Sequence, residues 1–167
     1  MRKILLVIDM QNDFIDGSLG STEAMSIVQN VINKIKEYSP ENVFATKDTH
    51  EVNYLSTSEG RHLPVEHCIR GSEGWDIRPE IRSLIPPENV YEKGTFGSLA
   101  LAEKVAEMAR KEEISVEMVG LCTDICVVSN ALLIKAYLPE IPISVDSSCC
   151  AGVTPDKHNA ALETMRS

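Results

Sequence analysis

SVEMVGLCTDICVVSNALLIKAYL, Ser115–Leu138, changes its kind of pattern halfway along. The opening SVEMVG is short and apolar with β-branched residues, the mark of a buried strand. Ile125–Leu138 is an apolar run of helical length and reads as a buried helix. Gly120, Cys122 and Cys126 lie where the one becomes the other. A strand that passes through a loop directly into a helix is one unit of a parallel α/β sheet.

The same unit recurs outward from this stretch. KILLVID, Lys3–Asp9, is a buried strand, and Glu23–Tyr38 carries helical spacing at Ile27, Val31 and Ile35. NVFAT, Asn42–Thr46, and NVYEK, Asn89–Lys93, read as further strands, and Leu99–Glu112 as a helix. PISVD, Pro142–Asp146, gives a fifth strand. Thr154 and Pro155 are placed as N-cap and first residue of a terminal helix, with His158 on its exposed face. The alternation predicts one domain over residues 1–167. Its fold class is α/β: a doubly wound (Rossmann-like) parallel sheet of five or six strands with helices on both faces. Only Lys47–Asp76 breaks the rhythm. A long irregular segment in a compact domain is a functional candidate, and Trp75 is its expected packing anchor.

Composition narrows the function classes. Apolar residues make up 43% and charged residues 25%, as in a soluble globular protein. A formal charge of −9 leaves no basic stripe for phosphates, so a nucleic-acid partner is not expected. No apolar run approaches a membrane span, and Ile4–Ile8 is too short for a signal peptide. Five cysteines, an odd count, do not read as a disulfide framework, so the expected setting is cytoplasmic and reduced.

In such sheets ligands bind beyond the C-terminal strand ends. Those ends carry Asp9, then Lys47, Asp48 and His50, then Lys93, then Gly120–Cys126. Cys126 near a helix N-terminus is expected to have its pKa lowered from about 8.5 toward roughly 7, with the same N–H groups free to hold an oxyanion. Asp9 and Lys93 offer a base and a positive charge; an ordinary ion pair is the plainer alternative. Asp48 and His50 lie two apart, on one side of an extended segment, and Glu59, His62 and His67 follow. Imidazoles and carboxylates of this kind suit Zn²⁺, Mn²⁺ or Fe²⁺, or are scattered polar loop residues. The Cys122/Cys126 spacing is not the C-x-x-C of redox sites, and the adjacent Cys149 and Cys150 point opposite ways and do not complete a zinc site. No G-x-G-x-x-G follows the first strand, which counts against a dinucleotide binder.

IDMQNDF, TKDTH, EKGTFGS and GLCTDICVVSNA, each at its own strand end, resemble the isochorismatase-like cysteine hydrolases, and among them the nicotinamidase/pyrazinamidase branch. The resemblance runs from Lys3 to about Leu162. It implies a triad of Asp9, Lys93 and Cys126, and an oxyanion hole from the N–H groups of Cys122 and Cys126 behind a cis Leu121–Cys122 peptide. It also implies a divalent metal, zinc first, on Asp48, His50, Glu59 and His67, with His62 a competitor for the fourth place. The implied reaction is cleavage of a small primary amide, nicotinamide to nicotinate plus ammonia, through a thioester. Phe14 and Phe96 are the implied ring-packing walls. Where nicotinamidases commonly place an aromatic residue before the last metal histidine, this chain has Leu63, Pro64 and Val65. Another small amide or carbamoyl compound is therefore an alternative substrate, and a non-catalytic member of the fold a second alternative. A homo-oligomer is expected.

Overall fold

The computed structural model describes residues 1–167. Five strands, β1 (Arg2–Ile8), β2 (Val43–Asp48), β3 (Val90–Lys93), β4 (Ile114–Leu121) and β5 (Ile143–Ala151), form one sheet. Every pairing is parallel, and the order is β3-β2-β1-β4-β5. The chain winds outward from β1 through β2 to β3, then crosses to the other side for β4 and β5. The direction of winding reverses between β1 and β4, and in open α/β sheets the crevice at such a reversal is where ligands bind.

Both faces of the sheet are buried, which explains the unbroken apolar runs. Leu5 and Val7 of β1 face one core and Ile4, Leu6 and Ile8 the other, the period-two alternation of a strand. The first core is closed by α2 (Thr22–Ile35) through Ala24, Ile27, Val31 and Ile35, with Phe14 and Ile15 of the short α1 (Asn12–Ile15) beside them. Two small helices, α3 (Ser58–His62) and α4 (Pro79–Arg82), follow β2. The second core lies under α5 (Leu99–Ala109) and α6 (Val128–Tyr137). Hydroxyl caps start three of the longer helices: Ser21 accepts from the Ala24 N–H, Ser98 from Leu101, and Thr154 from Lys157 at the head of α7 (Pro155–Arg166).

Some expectations need correction. β2 runs on to Asp48 because Lys47 and Asp48 pair with Glu92 and Lys93 of β3. β5 continues past Asp146 to Ala151, after an irregularity opposite Met118–Gly120, so Cys149 and Cys150 are strand residues facing opposite cores. The helix after β4 begins as a wide π turn, Thr123–Val127. It is not buried all round, since Leu132 is 54% and Tyr137 43% exposed. His158 is half-buried, its Nδ1 2.7 Å from the Thr123 hydroxyl, so α7 is tied to that turn. No helix is long and apolar enough to cross a membrane.

Candidate active site

Gly120 shapes the end of β4. Its φ is +122°, and a Cβ there would lie 2.1 Å from the Ile8 carbonyl oxygen, so only glycine lets β4 approach β1 this closely. Leu121–Cys122 is a cis peptide, and the Cys122 N–H donates to no group of the protein. The chain then turns through Thr123–Val127 and brings Cys126 back against the strand ends.

Asp9 stands just past β1 with φ +46°, a left-handed conformation that aspartate tolerates better than most residues. It is fully buried. Its Oδ1 accepts from the Thr46 hydroxyl at 2.6 Å, and its Oδ2 lies 2.8 Å from Lys93 Nζ. Lys93 Nζ is 3.4 Å from Cys126 Sγ, 3.3 Å from Asp48 Oδ1 and 3.1 Å from the Thr95 carbonyl oxygen. Three strand ends therefore meet at one ammonium. Burial works to neutralise Lys93, but Asp9, Cys126 and Asp48 hold its pKa above the ordinary lysine value.

Cys126 is only 5% exposed, and burial pushes its thiol well up, with Asp9 adding to the rise and Lys93 opposing it. The expected lowering toward neutrality is overturned: removal from water outweighs the turn's N–H groups and the neighbouring ammonium. That direction favours the neutral thiol over the thiolate. Burial likewise pushes the Asp9 carboxyl up, against the pull of Lys93.

Beside this corner, Asp48, His50, Glu59 and His67 bring one donor atom each to within 4.8 Å of one another. His50 Nε2 lies 3.0 Å from Asp48 Oδ2 and 3.6 Å from Glu59 Oε1. His67 Nε2 lies 3.6 Å and 3.7 Å from the same two oxygens. His67 Nδ1 is 2.8 Å from the Val65 carbonyl oxygen, so it donates there and holds Nε2 toward the two carboxylates. Two carboxylates and two imidazoles converging on one point favour a positive charge between them, and the donor set fits a divalent cation. Burial works to raise the Asp48 pKa, but hydrogen bonds from His50 and His67 and the charge of Lys93 hold it well below the usual carboxylate range. His62 is exposed and outside the group.

Of the expected wall residues, Phe14 sets its ring 5.5 Å from that of His67, while Leu63 and Phe96 are exposed. Tyr54, which the sequence reading missed, is fully buried with its ring 4.7 Å from His50 and 5.0 Å from His67. Its hydroxyl donates to the Leu63 carbonyl, and Gly60 allows α3 to close on its main chain, since a Cβ there would sit 2.0 Å from the Tyr54 carbonyl oxygen. Thr46 was missed too, and so was Asn130, which joins Ser98, Phe96 and Cys126 through its side-chain amide. Thr46 lies two residues before Asp48, a spacing that could have marked it. Grooves of about 550 and 520 Å³ elsewhere on the surface contain none of the strand-end residues.

Fold and site together define an α/β protein with a buried Asp–Lys–Cys corner beside a four-donor cluster. The chain belongs to the isochorismatase family: the Isochorismatase domain model matches residues 3–167. It is similar to the crystal structure of the nicotinamidase/pyrazinamidase PncA from Bacillus subtilis, with 27% identity and a TM-score of 0.82 over 99% of this chain and 95% of that one. It is 25% identical to the nicotinamidase of Schizosaccharomyces pombe, over 97% of this chain and 88% of that protein. The pyrazinamidase of Pyrococcus horikoshii, solved in complex with zinc, shares the fold at 24% identity, a TM-score of 0.77, and 99% and 95% coverage.

Proposed function

We propose that residues 1–167 act as one amidohydrolase domain that cleaves a small primary amide, nicotinamide to nicotinate plus ammonia, through a thioester on Cys126. The observation that carries this reading is Lys93 Nζ, 2.8 Å from Asp9 and 3.4 Å from Cys126 Sγ, beside a donor set that fits a metal. Asp9 takes the thiol proton as Sγ attacks the amide carbon, so the buried thiol ionises only as its bond to carbon forms. The oxyanion is received by the N–H groups of Cys122 and Cys126. Asp9 returns the proton to the amide nitrogen, the C–N bond breaks and ammonia leaves. Water then attacks the thioester, giving its proton to Asp9, and the C–S bond breaks to release the acid and restore the thiol. Lys93 keeps its charge throughout and holds Asp9 in place.

Asp48, His50, Glu59 and His67 would hold a divalent cation, zinc first and Mn²⁺ or Fe²⁺ next, which supplies a Lewis-acid centre next to the substrate. Phe14 and Phe96 flank the substrate ring, with Leu63 at the rim. The same reading takes the chain as a cytoplasmic homo-oligomer, for which exposed Leu99, Leu132 and Tyr137 offer apolar surface.

Ammonia release from nicotinamide by metal-loaded protein tests the proposal. Release is expected, falling by about 10⁴-fold or more in Cys126→Ala. Absence of release with each of the three metals would overturn nicotinamide as substrate. A panel of small amides and carbamoyl compounds would then separate another substrate from a site without this chemistry.

A further inference from the structure

Gln11 lies two residues beyond Asp9 and is fully buried, yet its side chain hydrogen-bonds to neither the thiol nor the lysine. Its Oε1 accepts from the Asp48 N–H at 2.7 Å, and its Nε2 donates to the Asp48 carbonyl at 2.8 Å and to the Trp75 carbonyl at 2.8 Å. Both side-chain donors are used. The two bonds to Asp48 imitate a neighbouring strand. Residue pairing between β1 and β2 ends at Val7 and Ala45, while on the other edge Asp48 still pairs with Lys93. Gln11 therefore takes over where the β1 main chain has left the sheet. Asp13, two residues on, does the corresponding job for the next donor: its Oδ2 accepts from the N–H of Cys68, the residue after His67, at 2.8 Å.

We infer that Gln11 is a positioning residue for the four-donor cluster, clamping the Asp48 main chain so that one carboxylate faces both imidazoles and Lys93. This rests on the reading of the cluster as a metal centre. Without the clamp the cluster's ligand atoms lose their fixed spacing, and hydrogen-bond partners that orient metal ligands are typically worth 10–100-fold in affinity.

The test is Zn²⁺ affinity by chelator competition on folded, metal-free protein, alongside the alkylation rate of Cys126 followed by mass spectrometry. Gln11→Met keeps the length and removes all three bonds. It is expected to weaken Zn²⁺ binding by about 10–100-fold while the Cys126 rate stays within about two-fold. Gln11→Glu keeps an acceptor for the Asp48 N–H and is expected to fall between the two, and it carries the test should Gln11→Met not fold. Wild-type affinity in either folded variant overturns the inference. So does an equal disturbance of Cys126, which would mark a merely structural role. Wild-type protein that binds no Zn²⁺, Mn²⁺ or Fe²⁺ would instead overturn the metal centre itself, a distinguishable failure.

Discussion

Two lysines of this protein are each ringed by acidic groups, and only one of them sits at a place fit for chemistry. Lys34, on α2, lies 3.1 Å from Asp146, 3.3 Å from Glu37 and 3.5 Å from Glu117. Lys93 lies 2.8 Å from Asp9 and 3.3 Å from Asp48. At Lys34 the hydrogen bond it donates to Asp146 is the leading influence, and it raises the pKa. At Lys93 the leading influence is burial, which opposes the charge and is overcome only by several negative neighbours together. The acids around Lys34 have no further task, for Tyr38 donates to Glu117 and Ser148 to Asp146. Those around Lys93 each face a second partner, Asp9 a thiol and Asp48 two imidazoles. A ring of charge is therefore a weak sign of function. A buried ring whose members also reach reactive groups is a strong one.

Replacing the two lysines should separate them most widely. Lys93→Met leaves two buried carboxylates without their cation, and losing one partner of a buried pair costs about 3–5 kcal/mol. Amide hydrolysis should fall on the order of 10³-fold or more, as with other members of a catalytic unit. Urea unfolding and ammonia release measure the two effects. Activity retained to within about ten-fold would place Lys93 with Lys34 and dissolve the contrast.

The sheet was legible in the sequence because both its faces are buried: Ile4–Ile8 and Val116–Leu121 need no cross-strand information to be recognised. The strand ends were less so, since Lys47 and Asp48 are polar yet pair with β3. Asp9, Lys93 and Cys126 could be proposed because strand ends converge in such a fold. Glu59 was a candidate by residue type, but no spacing marked it, and only the resemblance chose it as the fourth ligand over His62. Gln11 and Thr46 stayed hidden because each acts on a residue far along the chain, and Tyr54 because its packing on His50 and His67 depends on how an irregular segment folds. The protonation of Cys126 was misjudged for a related reason, as local position gives the turn's N–H groups but not the depth of burial.

Thr46→Val sharpens the contrast from the Asp9 side. The Thr46 hydroxyl donates to Asp9 Oδ1 and so favours the carboxylate. Burial already pushes this carboxyl up, and removing the donor raises it further. Asp9 must be ionised to take the thiol proton, so activity rises as pH climbs through its pKa. The acid limb of kcat/KM should move to higher pH while the plateau above it changes little. An unmoved acid limb would mean that another group controls it.

Lys34→Met gives the smallest effect and checks the other half of the comparison. Activity should stay within about two-fold, since its partners are not shared with the candidate site. Stability near neutral pH should fall by less than about 1 kcal/mol, as for a partly exposed ion pair. Burial alone would raise the Asp146 pKa, but the Ser148 hydroxyl and Lys34 lower it further than burial raises it. A folded-state pKa below the unfolded one stabilises above about pH 4 and loses that contribution as pH falls through the folded value. Removing Lys34 lets the Asp146 pKa rise toward its unfolded value, so the variant has less to lose in acid. The stability gap between wild type and Lys34→Met, read by urea unfolding near pH 6 and again near pH 3, should therefore narrow at the lower pH. A gap that widens there would show that Lys34 acts through its aliphatic packing on the sheet and not through the acids around it.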